Sequence, residues 1–206
     1  MPGTFFTKLQ DRYKTNSTLL CVGLDPHLDY SGISSVQDAA KKIVERNIEV
    51  IEETAPFTAC FKPNIAFYEA LGPDGLRALK ETVEAVPKEI PIIIDGKRND
   101  IGSTAAAYAH ALFSYYAADC VTLNPYLGYE SVKPFLSFED RGMFMLCRTS
   151  NPGSDKLQNL SVYPQSDAGI KGEQTPVKLY IHVAREVCSW SPNIGLVIGA
   201  TVPEAI

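Results

Sequence analysis

The sequence predicts an α/β fold, a parallel (β/α)8 barrel of which about six β–α units fall within these 206 residues. Three observations predict it. Short apolar runs alternate six times with amphipathic helical patterns, as strands and crossover helices of a parallel sheet do. The runs are continuously apolar, as strands covered on both faces are. Each run also carries polar residues at its C-terminal end. A barrel gathers those ends around one mouth, where barrel sites lie. An open doubly wound sheet would use only the ends near its switch point, and no G-x-G-x-x-G follows the first run.

The elements follow in chain order. Thr18 to Leu24 reads as a strand ending at Asp25. Val36, Ala40, Ile43, Val44, Ile48 and Ile51 recur at three- and four-residue steps and read as a helix. Thr58 to Phe61 forms the second strand, ending at Lys62, and Leu76, Leu79, Val83 and Val86 mark the next helix. Ile90 to Ile94 is the third strand, ending in Asp95-Gly96-Lys97. The chain should then turn into a helix at Ser103-Thr104, with Tyr108, Ala111, Leu112 and Tyr115 on one face. Cys120 to Leu123 ends at Asn124; Tyr126, Tyr129 and Phe135 after it read as helix core or interface. Met143 to Cys147 ends at Arg148-Thr149-Ser150. A stretch of about 25 residues, 150–175, has no apolar periodicity; a loop that long is usually functional, and it reads as a lid or an edge of the site. Thr175-Pro176 has the form of a helix start, with Val177, Tyr180, Val183, Ala184 and Val187 as its apolar face. Gly195 to Ile198 is the sixth strand. No composition shift marks a linker, so residues 1–206 read as a single barrel domain.

Composition narrows the function classes. Hydrophobic residues make up 45% and charged residues 21%, ordinary values for a globular protein. The formal net charge of −5 disfavours nucleic acid or an anionic membrane as partner. No targeting segment is visible, and no apolar run approaches the length of a membrane span, so a cytoplasmic location is expected. The five cysteines (21, 60, 120, 147 and 188) lack metal-ligand spacing and read as reduced, buried thiols. The three histidines are dispersed, which argues against a zinc site.

The charged end of the third strand is the candidate site. Asp95 and Lys97 are two apart, so on an extended chain they face one side. An Ile-rich strand has no structural use for a carboxylate and an ammonium together. Lys62, Asp95, Lys97 and Asp100 are expected to converge, with alternating signs. Each carboxylate favours the charged form of the ammonium beside it, so Lys97 suits the role of proton donor. The competing reading is a structural ion-pair network at the barrel mouth. Asp25 before Pro26 could equally be a turn former, and Thr149-Ser150 ordinary loop polarity.

Asp95-x-Lys97-x-x-Asp100-Ile101 with Thr104, preceded by Lys62 and by Gly23-Leu24-Asp25-Pro26, resembles the orotidine 5′-phosphate decarboxylase family. Phe61-Lys-Pro-Asn64 and Cys147-Arg-Thr-Ser-Asn-Pro-Gly153 are similar to its longer bacterial branch. The resemblance runs over nearly the whole chain. It implies decarboxylation of orotidine 5′-monophosphate to uridine 5′-monophosphate in pyrimidine biosynthesis, without metal or organic cofactor. Lys97 would protonate the pyrimidine C6, and Asp95 would sit against the substrate carboxylate. Lys62 would hold Asp95 and contact the ribose, and Asp25 would accept from ribose hydroxyls. Thr149 or Ser150 would bond the pyrimidine edge. Asp100, Ile101 and Thr104 would reach the neighbouring subunit's site in a homodimer. The alternatives are a magnesium-dependent sugar-phosphate decarboxylase or synthase sharing the D-x-K-x-x-D pattern, or an inactive nucleotide-binding relative. In the metal enzymes the second strand ends in a metal-binding Glu; here it ends in Lys62, and an ammonium repels a cation.

The length carries one more expectation. Six units in 206 residues is about 34 residues each, and eight would need on the order of 270, near the usual barrel size. The last two strands, whose loops grip the substrate phosphate in this family, are therefore expected to be missing, the chain being an incomplete version of a longer protein.

Overall fold

The computed structural model describes residues 4–163 and 175–206. Six parallel strands stand in the spatial order of the sequence: β1 (Cys21–Gly23), β2 (Cys60–Lys62), β3 (Ile93–Arg98), β4 (Cys120–Leu123), β5 (Gly142–Arg148) and, after the short elements named below, β8 (Ile194–Ile198). The β1–β2 pair joins the other four through bridges Phe61–Ile92 and Asn64–Asp95. Backbone bonds from Phe61 N–H to the Pro91 carbonyl (3.1 Å) and from Asp95 N–H to the Pro63 carbonyl (3.0 Å) close the join. Sequential order without reversal is the barrel arrangement; a doubly wound sheet reverses at its switch point.

The helices follow from their apolar spacing and caps. In α2 (Val36–Thr54) the Ser35 side chain accepts from Asp38 N–H, and Ala40, Ile43, Asn47 and Ile51 are buried. It packs on α4 (Gly72–Ala85), whose Ala78, Leu79 and Val83 point inward. Between β2 and α4 lies α3 (Ile65–Glu69), capped by Asn64, whose side chain accepts from Ala66 N–H. After β3, α5 (Gly102–Ala109) runs into a π-helical turn over His110–Tyr115 and packs on α6 (Tyr129–Leu136). Phe135 is buried there, whereas Tyr126 and Tyr129 are exposed. Among the described residues no helix is long and apolar enough to cross a membrane.

An element not expected from the sequence closes the N-terminal end of the sheet. Helix α1 (Phe5–Asn16) is capped by the Thr4 side chain, which accepts from Thr7 N–H. Phe5 packs with Cys60, Ile93 and Cys120 under the strands. Its ring lies so close to Gly142 that a Cβ there would come within 2.3 Å of it. Lys8 pairs with Asp119, and Arg12 donates to the Thr58 and Ala55 carbonyls.

Three further expectations are corrected. The third strand does not end at Ile94: it runs on to Arg98, because Asp95 N–H still pairs with the Pro63 carbonyl just past β2 and Asn124 N–H with the Arg98 carbonyl. The last helix, α8 (Leu179–Trp190), begins after Lys178, not at Thr175-Pro176. Val177–Lys178 instead forms β7, paired antiparallel with β6 (Ser161–Val162). The 150–175 stretch is thus partly ordered, with helix α7 (Asp155–Gln158) as well as β6; the reading as a lid also covers 164–174, which lie outside the described residues. All five cysteines are free, but Cys21 and Cys188 are exposed rather than buried, Cys21 because β1 is an edge strand.

Candidate active site

The strand ends bring together Asp25, Lys62, Asp95 and Lys97. Asp95 is the centre. Both of its carboxylate oxygens lie 2.7 Å from Lys97 Nζ, and Lys62 Nζ stands 3.7 Å from Oδ2. Lys62 Nζ also lies 3.9 Å from Asp25 Oδ2. Asp25 is fixed in turn by Asn64, whose backbone N–H donates to Oδ1 at 2.8 Å. The Asn64 backbone therefore holds Asp25 while its side chain caps α3. Two ammoniums and two carboxylates sum to zero charge, so the cluster needs no outside counter-ion.

Asp95 and Lys97 do not meet by simple strand alternation. The β3–β4 register shifts between Ile94 and Arg98, and Lys97 has φ 45°, in the left-handed region. Such a conformation is uncommon for a side chain of this size and costs about 1 kcal/mol or more. Thr122 on β4 holds it. Its hydroxyl accepts from Lys97 N–H at 2.9 Å and donates to Asp95 Oδ1 at 2.7 Å. One buried hydroxyl thus satisfies the bulged backbone and orients the carboxylate. Sequence reasoning missed Thr122; the signal was a hydroxyl two residues before Asn124 in an otherwise apolar strand.

Asp95 is nearly buried, with a side-chain exposure of 10%, while Lys97 is half exposed at 48%. Burial alone would raise the Asp95 carboxyl. Hydrogen bonds from Lys97 and Thr122, and the charges of Lys97 and Lys62, outweigh it and hold the carboxyl below its usual range. The result is a fixed anion that presents an ammonium toward solvent at the mouth. A second ammonium beside Asp95, where a metal centre would want another carboxylate, also disfavours a divalent cation at this spot.

The remaining predicted residues sit elsewhere. Asp100 does not join the cluster: its carboxylate accepts from the N–H of the adjacent Ile101 at 2.8 Å, and it forms no ion pair among the described residues. The chain has left the strand by then, and Ile101 and Thr104 are exposed at the start of α5. Thr149 and Ser150 follow β5, on the same end of the sheet. The Thr149 hydroxyl contacts Asn151 Oδ1 at 2.6 Å and accepts from Gln158 Nε2 at 2.8 Å. Ser150 is exposed and packs on Gly199, where a Cβ would come within 2.9 Å of it. The buried Arg148 anchors this loop: it donates to Ser154 Oγ (2.5 Å) and Gln158 Oε1 (3.2 Å) and pairs with Asp155.

The family model described as "Orotidine 5'-phosphate decarboxylase / HUMPS family" matches residues 18–206. The chain belongs to that family. It is 45% identical over 202 residues to the orotidine 5′-phosphate decarboxylase of Herpetosiphon aurantiacus, a match covering 98% of this chain and 72% of that protein. The decarboxylase of Thermomicrobium roseum is 43% identical over 203 residues, with 97% of this chain and 68% of the relative covered. Among solved structures, the OMP decarboxylase of Leishmania donovani superposes with a TM-score of 0.83 at 41% identity, covering 98% of this chain and 73% of that one. In this decarboxylase-family chain, as in the barrel expected from the sequence, the charged cluster stands at the C-terminal ends of the strands.

Proposed function

We propose that this chain decarboxylates orotidine 5′-monophosphate to uridine 5′-monophosphate in pyrimidine biosynthesis, with Lys97 as the proton donor. The observation that carries the assignment of roles is the Asp95 carboxylate clamped between Lys97 and Lys62 at the barrel mouth. The reaction breaks the bond between the pyrimidine C6 and its carboxylate. The electron pair stays on C6, carbon dioxide leaves, and a proton from Lys97 Nζ takes its place. The ammonium is already oriented by Asp95, so it stabilises the developing carbanion without reorganising. Asp95 beside the substrate carboxylate adds repulsion relieved as carbon dioxide departs, a ground-state effect. In this reading Lys62 and Asp25 meet the ribose hydroxyls, and Thr149 or Ser150 the pyrimidine edge. The array supplies its own charge, and the step needs no metal or organic cofactor.

We further infer a homodimer, in which Asp100, Ile101 and Thr104 reach the partner copy's site. The exposure of Ile101, at 59%, and of Thr104 at the start of α5 supports this. A cytoplasmic setting fits five free thiols.

Loss of the orotidine absorbance on adding this chain to orotidine 5′-monophosphate, with and without chelator, tests the activity. Turnover unaffected by chelator is expected, and Lys97→Ala should lower kcat by about 10²–10⁴-fold. An unchanged rate in Lys97→Ala, or activity only on a sugar phosphate with magnesium, would overturn the reading. Nucleotide binding without turnover in the wild-type chain would point to a binding protein instead.

A further inference from the structure

Arg98 closes the bulge that carries Lys97, and the decarboxylation gives it no task of its own. Between the register pairs Ile94–Val121 and Arg98–Leu123, β3 takes four residue steps where β4 takes two, so Asp95, Gly96 and Lys97 stand opposite Thr122 alone. Such a bulge re-aims the side chains it carries. A left-handed lysine persists there only if its surroundings over-determine it. Thr122 holds the middle of the bulge. Arg98 holds its far end, where its carbonyl accepts from Asn124 N–H at 3.0 Å and the ladder resumes.

The Arg98 side chain is itself clamped. It pairs with Glu69, the last residue of α3, and its guanidinium carbon lies 5.0 Å from the centre of the Tyr108 ring on α5. A planar guanidinium suits both contacts, bonding a carboxylate in its plane while its face rests on an aromatic ring. On the way it crosses the bulge: a Cβ on Gly96 would lie 3.4 Å from Arg98 Nε and 3.7 Å from its Cγ. The clamp also joins other parts of the site. Helix α3 follows Asn64, whose backbone N–H holds Asp25, and α5 starts beside Asp100 and Ile101. One donor is sacrificed, for Arg98 Nε is buried without a hydrogen-bond acceptor among the described residues. A side chain placed for stability alone would bond that donor, and local costs of this kind collect at functional sites.

We propose that Arg98 is a positioning residue for the proton donor: gripped by Glu69 and Tyr108, it fixes the far end of the bulge and keeps the Lys97 ammonium on Asp95. Its effect on rate rests on the decarboxylase reading; the placement of the ammonium does not. Arg98 touches no reacting atom and acts only through Lys97.

The test uses the whole chain with isotope-labelled lysines. The Lys97 ε-methylene resonance, identified by its loss in Lys97→Arg, is read without substrate in wild type, Arg98→Ala, Glu69→Ala, Glu69→Gln and Arg77→Ala. Arg77 is an exposed arginine of α4 paired with Asp74, so its variant controls for the loss of a charge. Arg98→Ala and Glu69→Ala should move the resonance toward that of solvent-exposed lysines. Glu69→Gln, which keeps an acceptor in place, should largely restore it, and Arg77→Ala should leave it where it was. With orotidine 5′-monophosphate the same two alanine variants should lower kcat about 10²-fold, as displacing a reacting group by about 1 Å does. KM should stay within about twofold, the mark of an interaction made in the transition state. A merely structural arginine would lower the melting temperature and leave both the resonance and the kcat of the folded chain unchanged; that result would overturn the proposal, as would an equal shift in Arg77→Ala. Glu69 is partly exposed, so Glu69→Ala decides the matter if Arg98→Ala fails to fold. A wild-type chain without turnover would count against the decarboxylase reading alone, and the resonance would still decide the clamp.

Discussion

Thr122 shows how much one side chain can hold. Thr122→Val keeps the shape and removes both bonds, leaving the Lys97 N–H unsatisfied and Asp95 Oδ1 with Lys97 Nζ as its one remaining donor. The expected cost is about 1–3 kcal/mol in a urea melt, with kcat lowered about tenfold or more as Lys97 loses its orientation. The backbone of Lys97 gives a second residue-scale prediction. At φ 45° glycine is at ease and alanine is not. Lys97→Gly should therefore be more stable than Lys97→Ala by about 1 kcal/mol, although both lack the ammonium. Asp95 sets part of the acid limb of stability. Its folded carboxyl titrates below the unfolded value of about 3.9. Between the two values the unfolded chain binds more protons, so stability present above the ordinary carboxylate range is lost as pH falls through it. Urea melts from pH 6 down should show a shallower decline for Asp95→Asn than for wild type. The charged residues were legible in the sequence because a carboxylate and ammonium at the end of Ile92-Ile93-Ile94 have no packing use. Thr122 was not, because threonine is an ordinary strand residue; only the bulge beside it gives it a task.

Elements were legible where their own periodicity decided them, and illegible where a distant partner did. The apolar faces of α2 and α4 could be read directly, yet the face of α2 holds a buried Asn47. Its side-chain amide donates to Tyr68 Oη (2.9 Å) and Thr82 Oγ1 (3.0 Å), and Tyr68 donates to the Leu24 carbonyl (2.8 Å). Helices α2, α3 and α4 are thereby tied to the residue just before Asp25. Tyr68→Phe should cost about 1–3 kcal/mol, because the Leu24 carbonyl loses its donor in a site that excludes water. Helix α1 escaped notice because Phe5-Phe6 is a short apolar pair among polar residues, and its value lies in the floor formed by Cys60, Ile93 and Cys120. The start of α8 was misplaced because Thr175-Pro176 satisfies the local rule, while the pairing of Val177–Lys178 with Ser161–Val162 depends on residues far away in sequence.

At the scale of the molecule, the parallel order and the mouth were legible because polar residues ended every strand run, and no alternative sheet places all of those ends together. Among the described residues, β1 pairs only with β2 and β8 only with β5, so each presents an open backbone edge. Leu19 and Leu20, leading into β1, are 82% and 51% exposed. Open, apolar edges recruit other chains. Leu19→Lys should raise the concentration at which this chain stays monodisperse by light scattering, without lowering its melting temperature. The sequential strand order also bears on how the chain comes off the ribosome. Each β–α unit finds its neighbour in the stretch made just before it, so assembly can keep pace with synthesis. Helix α1 is the exception: it cannot seat Phe5 until Asp140 and Gly142, far along the chain, have emerged. Phe5 and Phe6 thus stay within reach of chaperones until the start of β5 has been made.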